Sequence, residues 1–207
     1  MRTIVRYIRD FSIVVAGIAV TLYVNDKVTY KGEKKDLKRY LNAVKIELEA
    51  NIRTLDNAID DLQPAIRYSE YLKTNHRDSL NRDTISNYEE ICFRLEMYGL
   101  KTNAFEMFKT SGVMRLVDDK DLLLTMWSVY SGYSNLSELM DWNYKTKWED
   151  IKKDISHIDL GGDNELKDSP APLYNYHYTN TPKMMSENYK AARKITEEMV
   201  IRLENEL

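Results

Sequence analysis

From Leu37 onward apolar residues recur at Leu37, Leu41, Val44, Leu48, Ile52, Leu55, Ile59, Leu62 and Ile66, in steps of three and four that line one face of a helix. The steps alternate as in a coiled-coil seam except for one extra four between Leu48 and Ile52. Such a stutter locally unwinds a supercoil and favours packing against helices of the same chain over a long free coil. The pattern predicts a long helix over about 33–73, with Gly32 as a hinge before it. Pro64 removes the hydrogen bond to the Asp60 carbonyl, so the helix kinks or restarts there.

The remaining pattern predicts a short helix over about 86–98, a second over about 103–111, a long helix over about 119–157 and a C-terminal helix over about 183–206. The second has clear ends. Thr102 is its expected N-cap, Ala104-Phe105 and Met107-Phe108 supply an apolar face, and Ser111-Gly112 stops it where glycine tolerates a left-handed backbone. Val113 to Val117 then leads to Asp118-Asp119, which cap the helix carrying Leu122, Met126, Trp127, Tyr130, Tyr133, Leu136 and Met140. Gly161-Gly162 and Ser169-Pro170-Ala171-Pro172 mark a long loop, and Thr181-Pro182 opens the last helix. Tyr174, Tyr176 and Tyr178 alternate around His177 and would share one face if that loop were extended. The expected fold is all-α: one N-terminal transmembrane helix (residues 1–27) followed by an antiparallel helical bundle (28–207).

The N-terminal expectation rests on Phe11 to Val24, fourteen residues without a charge or a polar face. Phe11, Ile13, Val14, Val15, Ile18, Val20, Leu22 and Val24 carry its apolar surface. At 1.5 Å per residue it covers about 21 Å against roughly 30 Å of hydrocarbon, and reaches that span by extending back to Ile4 with Arg6 and Arg9 snorkelling outward. A cleaved signal peptide needs small residues after its apolar run, which Leu22-Tyr23-Val24-Asn25-Asp26 lacks. A buried core helix is the other alternative for a run this short. Three arginines (Arg2, Arg6, Arg9) precede the span and six basic residues (Lys27, Lys31, Lys34, Lys35, Lys38, Arg39) follow it, so the positive-inside rule counted literally places the large domain in the cytoplasm. The same basic run also fits the first exposed turns of a charged helix, which leaves the side open.

Charge and chemistry narrow the classes. With 30 Lys and Arg against 33 Asp and Glu, the net charge of -3 gives no electrostatic case for nucleic acid. Few glycines and prolines and 30% charged residues suit long helices. The lone Cys92 permits no intramolecular disulfide. His76, His157 and His177 lie far apart, without the spacing that sets two metal ligands on one helix face. Asp60-Asp61, Glu89-Glu90 and Asp118-Asp119 are adjacent in sequence and point about 100° apart on a helix, which builds no shared-proton dyad. No phosphate loop, nucleophile elbow or Cys-His pair is visible. The expectation is no catalytic, cofactor or metal site.

Lys101 to Leu123, KTNAFEMFKTSGVMRLVDDKDLL, together with Gly17-Ile18 and Asn25-Asp26 at the anchor, resembles an uncharacterised family of bacterial single-span helical proteins of unknown function. There, a short helix ending in Ser-Gly precedes an apolar pair, an acidic turn and a leucine-bearing helix. The resemblance implies a single-pass protein of the bacterial inner membrane and no particular activity. Here the basic segment before the anchor is shorter, and Lys27-Val28 stands where the family has an aromatic residue. Phe105 and Phe108 read as core anchors within the motif. Two functions lead: a non-enzymatic membrane-anchored scaffold or interaction module, with membrane lipid and a homo-oligomer or protein partner, and a membrane-tethered sensor binding a small ligand between its helices, with an enzyme of unfamiliar site ranked last.

Overall fold

In a computed structural model of the chain, residues 2–74, 97–157 and 176–207 are described, without the side chains of 2–11, 72, 150, 151, 153–157 and 176–179. The described residues are helical with no strand among them. They form α1 (Arg2–Asp61), α2 (Gln63–Thr74), α3 (Asn103–Thr110), a 3-10 turn (Val113–Leu116), α4 (Lys120–His157) and α5 (Tyr176–Glu206).

The apolar N-terminal run and the first long helix are one element. α1 passes through Gly32, so the expected hinge is absent. A single glycine weakens a helix by only about 1 kcal/mol, and the turn after it is held from outside. Arg115 pairs with Glu33 at 2.5 Å and Lys34 with Asp118 at 3.1 Å. At Pro64 the chain restarts: α1 ends at Asp61 and α2 begins at Gln63. The Gln63 amide donates to the Ile59 carbonyl at 3.1 Å, one of the acceptors the broken helix would otherwise leave open.

The seam of α1 differs from the expected one at its centre. The buried seam is Leu37, Leu41, Val44, Leu48, Asn51, Leu55 and Ala58, an unbroken alternation of four and three with Glu47 also buried beside it, while Ile52 and Ile59 are only half buried. The stutter disappears because Asn51 and Ala58 hold the positions assigned to the two isoleucines. Asn51 is satisfied by another backbone, and Ala58 sits in the core patch where Leu55 meets Met185, Tyr189 and Ala192.

Helix directions follow from long-range pairs. Lys38 donates to the Leu207 carbonyl, Lys45 pairs with Glu204 at 2.8 Å and Arg193 with Asp56 at 2.5 Å, so α5 runs against α1. Lys34 meets Asp118 and Glu47 meets Tyr130, so α4 runs in the same direction as α1. α5 lies mainly against α1 and also touches α4 and α2. One apolar cluster joins the first half of the α1 seam to Phe105, Phe108, Leu122, Met126, Tyr133, Met199 and Leu203; a second joins Leu55 and Ala58 to Leu136, Met140, Met185 and Tyr189.

α5 begins at Tyr176, seven residues before the expected start at 183, and carries Pro182 inside it. Tyr176 and Tyr178 are therefore helical, and no extended alternating edge forms there. Pro182 forgoes the bond to the Tyr178 carbonyl, but Thr181, Met185 and Ser186 beside it are buried, and tertiary packing of that face offsets a local break. The helix expected over 86–98 falls outside the described residues except for Met97 and Tyr98, which are not helical. Cys92, His76, Tyr174, Gly161-Gly162 and Ser169–Pro172 also lie outside them.

Candidate functional site

Two features stand out: the apolar N-terminal stretch and the junction where residues 98–119 cross the long helices. Ile13, Val14, Val15, Ile18, Val20, Leu22 and Val24 are between 47% and 63% exposed, none of them buried by the other described residues; the side chain of Phe11 lies outside the described residues. Thr21, the polar residue in the middle of the run, turns its hydroxyl onto the Gly17 carbonyl at 2.8 Å, so it presents no open donor. This end of α1 is long and apolar enough to cross a membrane by length and composition, and none of it is buried.

At the junction the chain before α3 lies along α1, anchored at three points. The Tyr98 hydroxyl donates to Asp61 at 2.5 Å. The Asn51 amide pairs with Lys101 as a strand would, donating to its carbonyl and accepting its N–H, both at 2.8 Å. The Glu47 carboxylate accepts the N–H of Ala104 at 2.8 Å and of Phe105 at 3.3 Å, then the Tyr130 hydroxyl at 2.8 Å. Glu47 thus caps α3 from another helix, where a carboxylate meets both the open N–H groups and the positive end of the helix dipole. Thr102 precedes α3 at φ -136° but makes no capping bond with its side chain, so the capping role expected of it belongs to Glu47.

The far end of α3 closes as a glycine stop. Ser111 donates to the Phe108 carbonyl at 2.7 Å, and Gly112 takes φ 76°, the only positive φ among the described residues. Phe105 and Phe108 are buried, with Phe105 stacked on Tyr130 at 4.2 Å between ring centroids and edge-on to Trp127 at 5.4 Å. The Lys109 ammonium lies 4.6 Å above the Trp127 ring and also pairs with Glu106. Asp119 caps α4 through the Leu122 N–H at 3.0 Å and meets Arg202 at 3.2 Å. Those backbone donors, with Arg202, hold its carboxyl below the usual aspartate range.

The polar layer continues across the core. Tyr133 meets Thr196 at 2.7 Å, and Thr196 donates to the Ala192 carbonyl, so Tyr133 is the donor of the pair. Burial pushes the Tyr133 hydroxyl up to about 12, and burial with the Glu47 carboxylate pushes Tyr130 higher still. Both phenols are therefore neutral donors, and both oxygens of Glu47 are occupied. The layer fastens four segments together. Sequence reading missed Glu47, Asn51, Tyr130, Tyr133 and Thr196 as a set. The available signal was that Glu47 and Asn51, four apart, fall on the same helix face as Val44, Leu48 and Leu55.

A groove of about 360 Å³ lies between α1 and α3, lined by Asp36, Arg39, Tyr40, Ala43, Ala104 and Met107. Its charged end is self-neutralised, since Arg39 pairs with Asp36 at 3.0 Å. Among the described residues no group of three or more His, Cys, Asp or Glu is placed to hold a metal ion. No known protein family, curated protein or solved structure matches the chain.

Proposed function

We propose that this protein is a non-enzymatic scaffold: a helical bundle held at a membrane by the N-terminal part of α1, which uses its exposed faces to bind itself or a protein partner. The observation that carries the reading is the solvent-exposed apolar run from Ile13 to Val24, continuous with a helix whose other half forms the domain core. So many contiguous exposed apolar side chains are unfavourable in water, and a run that is apolar all round suits lipid better than the face of one partner helix. A core-helix role does not suit a stretch that no other described residue buries, and cleavage after it would cut α1 in mid-helix. The polar residues at the junction have structural duties, which supports a binding role over catalysis.

The test is topological. Single cysteines placed near Leu207 in a Cys92→Ser background are challenged in intact cells with a membrane-impermeant thiol reagent, and membranes are washed with alkaline carbonate. The anchored reading expects the protein to stay with the membrane, and the labelling decides the side. Release into the wash overturns it. A detergent-extracted protein that runs as an oligomer or keeps a fixed partner supports the scaffold; a partnerless monomer counts against it.

The groove between α1 and α3 favours a second reading, a tethered small-ligand sensor acting through a partner. It expects a ligand-dependent rise in melting temperature, abolished by filling the groove with Ala43→Trp.

A further inference from the structure

Beyond the apolar run, α1 crosses twelve residues, Asn25 to Asp36, before its first buried residue, Leu37. At 100° per residue, Lys27, Lys31, Lys34, Lys35 and Lys38 fall within an arc of about 100°. The three acids of the stretch, Asp26, Glu33 and Asp36, lie on the opposite side of the helix. The structure separates the lysines further. Lys34 and Lys38 are taken up by the domain, through Asp118 and the Leu207 carbonyl. Lys31 and Lys35 have no ion-pair partner among the described residues, and Lys27 has only the Tyr23 ring, 4.9 Å from its ammonium.

Height matters as much as direction. Counting 1.5 Å per residue from Val24, the Cα atoms of Lys27, Lys31 and Lys35 stand about 4, 10 and 16 Å beyond the apolar run. Helical side chains lean toward the N-terminus, here toward the bilayer, and a lysine stem recovers roughly 6 Å of that height. The Lys27 ammonium then lies at the edge of the hydrocarbon, and those of Lys31 and Lys35 about 4 and 10 Å above it, the last close to one screening length at physiological salt. Tyr23 and Tyr30, both exposed, lie along one edge of the same arc, near the depth where tyrosine settles in a membrane interface.

Resting on the membrane-anchor reading, we infer that Lys27, Lys31 and Lys35 form a binding strip for anionic lipid headgroups on the domain's side of the membrane. Their ligand is the headgroup phosphate, and their partner is a leaflet rich in acidic lipid. The full chain is reconstituted into vesicles of phosphatidylcholine alone or with about one-third phosphatidylglycerol, and lysine acylation by a membrane-impermeant amine reagent is followed residue by residue by mass spectrometry. Exposed Lys190 and Lys194 serve as internal references. The strip predicts that Lys27, Lys31 and Lys35 react about fivefold more slowly in the acidic vesicles, and that 0.5 M salt largely removes the protection. Lys27→Gln/Lys31→Gln/Lys35→Gln should still insert, yet lose any enrichment of phosphatidylglycerol in detergent extracts. Equal rates in both vesicles overturn the proposal, as does equal protection by inorganic phosphate in neutral vesicles. Failure to survive a carbonate wash of the neutral vesicles sinks the anchor itself, so the two readings fail separately.

Discussion

Glu47 is the residue on which most depends. It is 7% exposed and serves two backbone N–H groups and one phenol. Glu47→Gln replaces one acceptor oxygen with a donor, so at least one of those donors loses its partner inside the core. A buried unsatisfied donor costs about 1–3 kcal/mol, and urea unfolding should register a loss near 2 kcal/mol; a change under about 0.5 kcal/mol would remove the cap from the account. Tyr133 supplies a pH signature. Its folded pKa is raised to about 12 from 10.0, so the stability gained by keeping the phenol neutral is complete below pH 10 and is lost as pH climbs from 10 to 12. Tyr133→Phe should flatten that alkaline decline, by up to about 1.4 kcal/mol per pH unit, in melts taken between pH 9 and 12. No flattening would mean that Tyr133 titrates normally. These roles were hard to read in advance because a glutamate and an asparagine on a helix look solvated until the segment that consumes their bonds is known to arrive from 50 residues away.

At the level of elements, hydrophobic spacing revealed the long helices, since Leu37, Leu41, Val44 and Leu48 leave little alternative. The limits of α3 were legible too, because Gly112 has a local physical job. What failed were inferences that treated a breaker as decisive. Gly32 and Pro182 both lie inside helices, Gly32 followed by Glu33 and Lys34 held from outside and Pro182 set among buried neighbours, contacts that no local rule contains. Pro64 did act as a stop, and there the next helix was free to start at Gln63. Gly32 has open space around it, with nothing within 4 Å of an added Cβ. Gly32→Ala should therefore strengthen the helix by about 1 kcal/mol locally and slow amide exchange over residues 28–36. Unchanged exchange would indicate that this turn is already held entirely by Glu33 and Lys34.

For the whole molecule, the absence of a break in α1 sets distances. From Val24 to Leu37 is thirteen residues, or about 20 Å, and from Val24 to Asp61 is about 55 Å. Since Leu207 sits beside Lys38, the C-terminus belongs to the near end of the domain and the α1–α2 junction to the far end. If α1 anchors the domain in a membrane, energy transfer from a dye at Leu207 to acceptors in the bilayer should exceed that from a dye at Asp61 severalfold. Comparable transfer from both would mean that the domain lies flat. The expected antiparallel bundle does not describe α4, which runs with α1, because periodicity along a helix does not show which helices meet or in which direction.

A helix that continues without a joint from apolar segment to core also fixes an azimuth. Each residue added between Val24 and Leu37 would turn the domain by about 100° around the shaft while lifting it only 1.5 Å. On the membrane-anchored reading, one extra residue would swing any binding face away from a neighbour fixed in the same membrane, and seven would bring it back to within about 20°. If partners engage the domain while both are embedded, their assembly should rise and fall with the phase of such insertions and not with their length. With the apolar segment embedded in a membrane, the shaft would work as a compass bearing: the orientation of that segment would dictate which side of the domain faces a neighbour.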